Sequence, residues 1–391
     1  MESEYSKLSI DLTRKLSRQE KKEYGIFFTP KAVVNYIIDY IIDYNFKSIL
    51  EPSCGSGEFL DSLKDRINGK IDAIEYNKEI FSSVTDKNKD TDIVFYNQDY
   101  LEVDKNNYDL IIGNPPYFTV NKNKVNKKYL AFFTGRPNIY ILFIIHSLSK
   151  LNDNGILAFV LPTNFLNCMY YNKLREYIDI NYTILSIKDF QDVKYLETSQ
   201  NTCAFIIKKK KSNNKLFSYK ISNYTIFDFE TLRINKLLIG SVSLRSLSFS
   251  CSIGKIVWNQ HKKKLSDNNK DTLLLYNRNI VDNKLDIAAS AINTDKKQYI
   301  KSSDIGSILF HPFIIVNRGY GTKYIFSYCY VSNVECVVEN HLLVITGPIH
   351  LYNSILKSFN DNRTLEFINL YFKNGGINCV EMLDIFPIYM I

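Results

Sequence analysis

Apolar residues along this chain follow two rhythms, and the switch between them marks out the elements. Val33, Val34, Ile37, Ile38, Ile41 and Ile42 fall at helical spacing. Thr29-Pro30 just ahead of them predicts the helix start, with Thr as N-cap and Pro at the first helical position, where its missing N–H costs nothing. Downstream the rhythm becomes short unbroken apolar runs: Phe46 to Leu50, Ile71 to Ile74, Ile93 to Tyr96, Leu110 to Ile112 and Ile156 to Leu161. Runs of that length separated by polar or helical stretches predict βαβ units, and therefore an α/β fold whose parallel sheet carries helices on both faces. Two more β-like runs, Ile184 to Phe190 and Thr202 to Ile207, close this half.

The polar stretches set the expected divisions. Residues 1–23 are mixed in charge without a strong period and predict a loosely packed N-terminal arm. Lys208 to Lys211, followed by Ser212, Asn213 and Asn214, reads as a surface hairpin or domain edge. From about residue 240 the chain is richer in short β-like runs, turn residues and Tyr, and predicts a second, mixed α/β or mostly β domain. The expected organisation is an arm at 1–23, a first domain at 24–210, a linker or edge at 211–239 and a second domain at 240–391.

Composition removes several classes. The 391 residues are 45% hydrophobic and 14% aromatic, too apolar for a disordered chain and too long for a small disulfide-stapled one. The seven cysteines are odd in number, scattered and never in C-x-x-C spacing, which suggests reduced thiols and a cytoplasmic protein. No run approaches the roughly 18 apolar residues of a membrane span, so no membrane partner is expected. No His pair has metal-ligand spacing, and no metal is expected. A net charge of +8 permits a polyanionic partner without requiring one.

Chemistry concentrates at the ends of successive strands. Glu51-Pro52-Ser53-Cys54-Gly55-Ser56-Gly57-Glu58 follows the first run and opens a helix. Glycines at such a turn let backbone approach a ligand, although a Gly-x-Gly pair alone is equally a bland turn. Glu75 ends the second run, where an acid accepts from ribose hydroxyls, and Asn97-Gln98-Asp99-Tyr100 ends the third, offering an amide or carboxylate to an adenine edge. The fourth run delivers Asn114-Pro115-Pro116-Tyr117. Its two prolines fix φ and remove two donors, leaving the Pro115 carbonyl, the Asn114 side-chain oxygen and the flat face of Tyr117 to receive a planar NH2 group.

These residues resemble a known family. Tyr24-Gly25-Ile26-Phe27-Phe28-Thr29-Pro30, the Glu51 to Leu60 stretch, Glu75, Asp99 and Asn114-Pro115-Pro116-Tyr117 look like motifs X, I, II, III and IV of S-adenosylmethionine-dependent adenine-N6 DNA methyltransferases. Their order is similar to the γ class of restriction-modification systems. The resemblance implies a Rossmann-like methyltransferase domain, a C-terminal target-recognition domain and duplex DNA as the partner, met by a monomer. It allows a cognate restriction endonuclease acting as a separate protein, and no endonuclease motif is evident in the chain. It assigns cofactor binding to Tyr24, Thr29, Glu51, Pro52, Ser53, Gly55, Gly57, Glu75, Asp99, Tyr100 and Asn114, with Glu75 on the ribose and Asp99 on the adenine. Asn114, Pro115 and Tyr117 become catalytic. Phe190, in a stretch similar to motif VIII, becomes the second aromatic against a flipped base; Tyr195 lies close, and Phe190 is also readable as an ordinary core residue. The C-terminal half offers Lys262, Lys263, Lys264, Arg278, Arg318, Tyr320 and Lys323 to DNA, the lysines to phosphates and Arg318 to guanine edges. Release-factor glutamine methyltransferases also use an Asn-Pro-Pro-Tyr turn. Cytosine N4, an RNA base or a glutamine amide therefore stay open as substrates, as does a DNA-binding module without turnover.

Overall fold

A computed structural model describes residues 4–190, 192–196, 198, 200–213, 215–288, 296–301, 308–319, 324–372 and 375–390. They form two units, divided after Thr231.

The first unit opens with α1 (Lys7–Lys15) and α2 (Arg18–Tyr24). This corrects the expectation of a loosely packed arm. Tyr5, Leu12 and Leu16 are buried, and Leu12 and Leu16 pack with Ile80. Ser6 caps α1, and a reciprocal Ser17–Glu20 capping box closes the start of α2. The sequence hid these helices because the apolar stripe of Leu8, Leu12 and Leu16 is only one residue wide and is surrounded by charge.

The rest is a seven-stranded sheet of β1 (Ser48–Glu51), β2 (Lys70–Ile74), β3 (Val94–Tyr96), β4 (Tyr108–Gly113), β5 (Leu151–Pro162), β6 (Thr183–Asp189) and β7 (Thr202–Lys208). The strand order is β3-β2-β1-β4-β5-β7-β6, parallel from β3 to β5, with β7 antiparallel to both its neighbours. Strands of a parallel sheet are covered on both faces, which is why they read as continuous apolar runs. Leu110, Ile112, Ile156, Ala158 and Val160 point to the face covered by α3 (Lys31–Ile41) and α4 (Glu58–Arg66). Ile111, Leu157, Phe159 and Leu161 point to the face covered by α6 (Ile139–Lys150) and α7 (Asn172–Asn181). Helix α5 (Lys78–Lys87) follows β2 and packs its Val84 on the same face as α3 and α4. The chain leaves β1 toward β2 on one side and returns as β4 on the other. The crevice for a ligand therefore lies beyond the carboxyl ends of β1 and β4.

Within residues 211–239 the chain forms the hairpin of β8 (Ser218–Ile221) and β9 (Tyr224–Phe227), whose Phe227 stacks on Phe205 at 5.8 Å in the first unit's core.

The second unit carries two four-stranded sheets. One is antiparallel: Ser250–Ile253, Leu342–Thr346, Phe313–Asn317 and Tyr328–Val331. The other is mixed: Leu265–Ser266, Tyr299–Ile300, Thr272–Leu275 and Cys336–Val338. Helices Tyr352–Phe359 and Asn362–Tyr371 complete it. Among the described residues no helix is long and apolar enough to cross a membrane.

Candidate active site

The turn after β1 is built on backbone conformations that favour glycine. Gly55 and Gly57 have φ of +53° and +81°. A side chain on Gly57 would press on Val84 at 3.1 Å, whereas one on Gly55 would meet only Phe28, at 3.8 Å. Gly57 thus seats the turn on α5 and Gly55 keeps its outer side open. Glu75, at the end of β2, ties the turn down: its carboxylate accepts from the Gly55 N–H at 3.0 Å and the Asn77 N–H at 2.8 Å. Burial raises its pKa from 4.5 to about 6, against the opposing pull of those N–H groups.

Glu51 is 1% exposed, and its Oε2 has no hydrogen-bond partner. Burial, reinforced by the carboxylates of Asp61, Glu75 and Glu58, holds its pKa well above the usual carboxylate range. A buried oxygen of this kind is costly unless a cation or donor comes to it. Pro52 stands with Glu51 beside Gly113, and the Ser53 hydroxyl donates to the Asn114 carbonyl at 3.2 Å, tying the first turn to the fourth. Asp99 uses Oδ1 to cap Leu101 N–H at 2.9 Å, and its other oxygen has no partner among the described residues.

Asn114 is held in one orientation. Its Nδ2 donates to the Phe27 carbonyl at 3.1 Å and to the Thr29 hydroxyl at 3.0 Å. A carbonyl only accepts, so the amide cannot be reversed, and Oδ1 faces Tyr117. The Tyr117 hydroxyl lies 2.6 Å from Oδ1 and 2.8 Å from the Val160 carbonyl, two acceptors for one proton. Gly25 makes the approach of the Tyr24–Pro30 stretch feasible, since a side chain there would sit 2.6 Å from the Tyr117 nitrogen. Helix α3 begins at Lys31 with Pro30 at its cap and no side-chain cap. Thr29 is not the N-cap expected from sequence because its hydroxyl is turned to Asn114.

Two assigned aromatics lie elsewhere. Tyr100 is 2% exposed, packed between Phe143 and His146, with its hydroxyl 2.8 Å from that of Ser147. The short helical turn at Tyr100–Glu102 swings its ring into the core, so the Tyr100 side chain does not reach the crevice. Phe190 packs edge-on to Tyr36 at 5.7 Å, on the α3 face of the sheet, whereas Tyr117 packs against the opposite face. It cannot pair with Tyr117 across a base. Tyr195 lines a shallow hollow with Thr13, Ile26, Phe27, Phe28 and Leu196, and lies near enough for its charge to oppose ionisation of Tyr117. Its hydroxyl is fixed 2.8 Å from that of Thr202. Tyr24 is 36% exposed beside Tyr76, at 6.1 Å between rings, on the outer rim.

Sequence reasoning missed Ser9 and Glu58. The Glu58 carboxylate accepts from the Ser6 N–H at 2.8 Å and from the Ser9 hydroxyl, which also meets the Ser56 hydroxyl at 2.7 Å. Helix α1 is thereby fastened to the glycine turn. The N-cap pattern at Ser6 and Ser17 was the available signal.

In the second unit, Arg278 donates to the Lys296 carbonyl and Gln298 Oε1, both at 3.0 Å, and lies over the Tyr276 ring. Arg318 donates to the Asn340 carbonyl at 2.9 Å. Both guanidinium groups thus donate within their own unit. Lys262 and Lys263 are exposed, Lys264 is half-buried and Lys262 lies 5.2 Å over Trp258. Tyr320 and Lys323 lie outside the described residues.

Residues 5–196 match the model of the Eco57I restriction-modification methylase family. Over 376 residues the chain is 28% identical to the type II methyltransferase M.CvrRI of Paramecium bursaria Chlorella virus XZ-6E, covering 95% of each protein. It is 26% identical over 394 residues to the modification methylase CviBIII of Paramecium bursaria Chlorella virus NC1A, covering 99% of each. It is also 32% identical over 197 residues to the type II methyltransferase M.AccI of Acinetobacter calcoaceticus, covering 46% of this chain and 36% of that one.

Proposed function

Residues 5–196 belong to the Eco57I restriction-modification methylase family, and from that premise we propose that this type II DNA methyltransferase acts on the N6 amino group of an adenine flipped out of duplex DNA. The observation that carries this reading is the oriented Asn114 amide beside a Pro115 carbonyl that has no partner among the described residues. Together they offer two acceptors to the two hydrogens of one planar amine.

The methyl donor is S-adenosylmethionine, and the residues present fit it. The orphaned Glu51 oxygen suits the methionyl ammonium, directly or through water. Gly55 leaves the turn open on its outer side, Glu75 keeps acceptor capacity for ribose hydroxyls, and the free oxygen of Asp99 suits an adenine amine. Thr29, Pro52, Ser53 and Gly57 hold the walls and turns of this crevice. When bound, the cofactor supplies a methyl group on an electrophilic sulfonium. The chain's own part is positional. By accepting both hydrogens, Asn114 Oδ1 and the Pro115 carbonyl favour a more tetrahedral nitrogen with its lone pair free to react. The Tyr117 proton then turns to Val160. Extruding the base costs a few kcal/mol; stacking between Tyr117 and Tyr195 offsets it by about 1–3 kcal/mol per ring.

The test is to incubate the purified chain with methyl-labelled S-adenosylmethionine and unmethylated duplex DNA, then digest to nucleosides. Label is expected in N6-methyldeoxyadenosine. Label in N4-methyldeoxycytidine would move the target to cytosine, and cofactor binding without transfer would favour a DNA-binding module. The chain is expected to act as a monomer, with any cognate endonuclease a separate protein.

The aromatic assignment has its own check. Tyr195→Ala should lower kcat/KM about 10- to 100-fold and reduce 2-aminopurine fluorescence on binding. Phe190→Leu should lower Tm with transfer nearly unchanged. The reverse pattern would return the stacking role to Phe190.

A further inference from the structure

We infer that residues 118–137, the loop directly after Tyr117, form a clamp on the DNA phosphates that flank the flipped nucleotide. This rests on the DNA-methylation reading and adds to it a contact surface within the catalytic unit.

From Leu110 to Asn152 the chain has no Asp or Glu, yet Lys122, Lys124, Lys127, Lys128 and Arg136 fall inside the loop, all exposed. Among the described residues none of them has an acidic partner; Lys128 lies 4.9 Å over the Tyr129 ring. Five unopposed cations on one short segment repel one another. Ordinary solvated surfaces intersperse both signs, and this one does not.

The segment is nonetheless firmly built. Its base is closed by antiparallel hydrogen bonds, Ile139 N–H to the Phe118 carbonyl and Val120 N–H to the Pro137 carbonyl, both at 2.9 Å. Val125, Tyr129 and Phe133, four residues apart, are buried anchors, and the Tyr129 hydroxyl lies 2.8 Å from Nδ1 of the buried His146. Asn121 and Asn126 each cap a short helical turn that carries lysines, Lys122–Lys124 and Lys127–Phe132. At the far end Thr134 N–H donates to the Tyr170 carbonyl at 2.8 Å, and Gly135, with φ of +72°, is pressed against the Tyr170 ring. The anchors fix the backbone inward and leave the ammonium groups outward.

The loop begins at the residue after the proposed stacking ring. A nucleotide whose base lies on Tyr117 brings its own phosphates to the mouth of that pocket, and lysines there hold phosphates as point charges without reading sequence. The cations thus set where the extruded nucleotide sits.

The test uses the full chain with Lys122, Lys124, Lys127 and Lys128 all changed to Gln, and a matched variant with the same four changed to Arg. Binding to labelled duplex is measured across salt concentrations with S-adenosylhomocysteine present. Each phosphate contact contributes about 0.9 to the slope of log affinity against log salt, so the Gln variant should lose about 2 to 3.6 of slope. Its affinity for S-adenosylhomocysteine should match the wild type, and the Arg variant should restore the slope. An unchanged slope in the Gln variant, with wild-type methylation of DNA intact, overturns the clamp alone. Loss confined to single-stranded RNA overturns it in favour of another partner. A wild-type chain that neither binds nor methylates DNA defeats the underlying DNA reading instead.

Discussion

Asn114→Ala should cut the rate of methyl transfer about 1,000-fold, the scale on which removing one preorganised polar group from a reacting centre acts. Cofactor affinity should change by no more than about threefold, because the substitution removes nothing that the reactants bind equally in ground and transition states. The side chain is a junction. Its Nδ2 is committed to Phe27 and Thr29, and only Oδ1 is left for a substrate. Asn114→Asp should fail nearly as badly, since it sets a carboxylate oxygen against the Phe27 carbonyl where an amide had donated. Single-turnover rates with calorimetric cofactor binding separate the two effects. Transfer retained within tenfold by the Ala variant would remove Asn114 from the chemistry.

Glu75→Gln should weaken S-adenosylmethionine binding about 10- to 100-fold, the range of a hydrogen bond to a charged group. The carboxylate accepts from two backbone N–H groups, whereas an amide must turn an NH2 toward one of them. The pH dependence follows from the raised pKa of about 6. The hydroxyls of ribose need the carboxylate form, so wild-type affinity should fall as pH drops below 6, by up to about tenfold per unit, and level off above 7. Stability of the free protein runs the other way. A folded pKa raised from 4.5 to about 6 means the native state binds the proton more tightly. That contribution is complete below 4.5 and lost as pH rises through 6, at about 2 kcal/mol. Both dependences should vanish in Glu75→Gln; calorimetry and thermal melts at pH 5 and 7.5 check them. Cofactor affinity flat from pH 5 to 8 in the wild type would count against the ribose role.

Much of this fold was legible because parallel strands are buried on both faces and leave unbroken apolar runs, as at Leu110 to Ile112 and Ile156 to Leu161. The strand-end residues Glu51, Glu75, Asp99 and Asn114 were legible because chemistry in such sheets collects at one edge. What stayed hidden depended on which way a side chain turns. Phe190 and Ile187 are separated by an odd number of positions and face opposite sides of the sheet; composition carries no such parity, so Tyr195 could not be preferred. Tyr100 follows Asp99 directly, yet one helical turn sends it to the core. That Arg278 and Arg318 each also donate to a nearby carbonyl was not visible in the sequence, because those carbonyls lie about twenty positions away. Helix α1 fell below notice because its apolar stripe is narrow and flanked by charge, and because Ser9 fastens it to the glycine turn through Ser56 and Glu58, residues far away along the chain.

The phenol of Tyr117, with one proton and two acceptors, bears on kinetics. Passing from the resting to the receptive arrangement at Asn114 requires only rotation about the C–O bond, with the ring and its neighbours left in place. Such local rotations belong to the fast end of protein motion, picoseconds to nanoseconds. Readiness of the amide acceptor is therefore never what a turnover waits for. Slow steps must lie where larger bodies move: in drawing a nucleotide out of its stack, or in letting the methylated strand go.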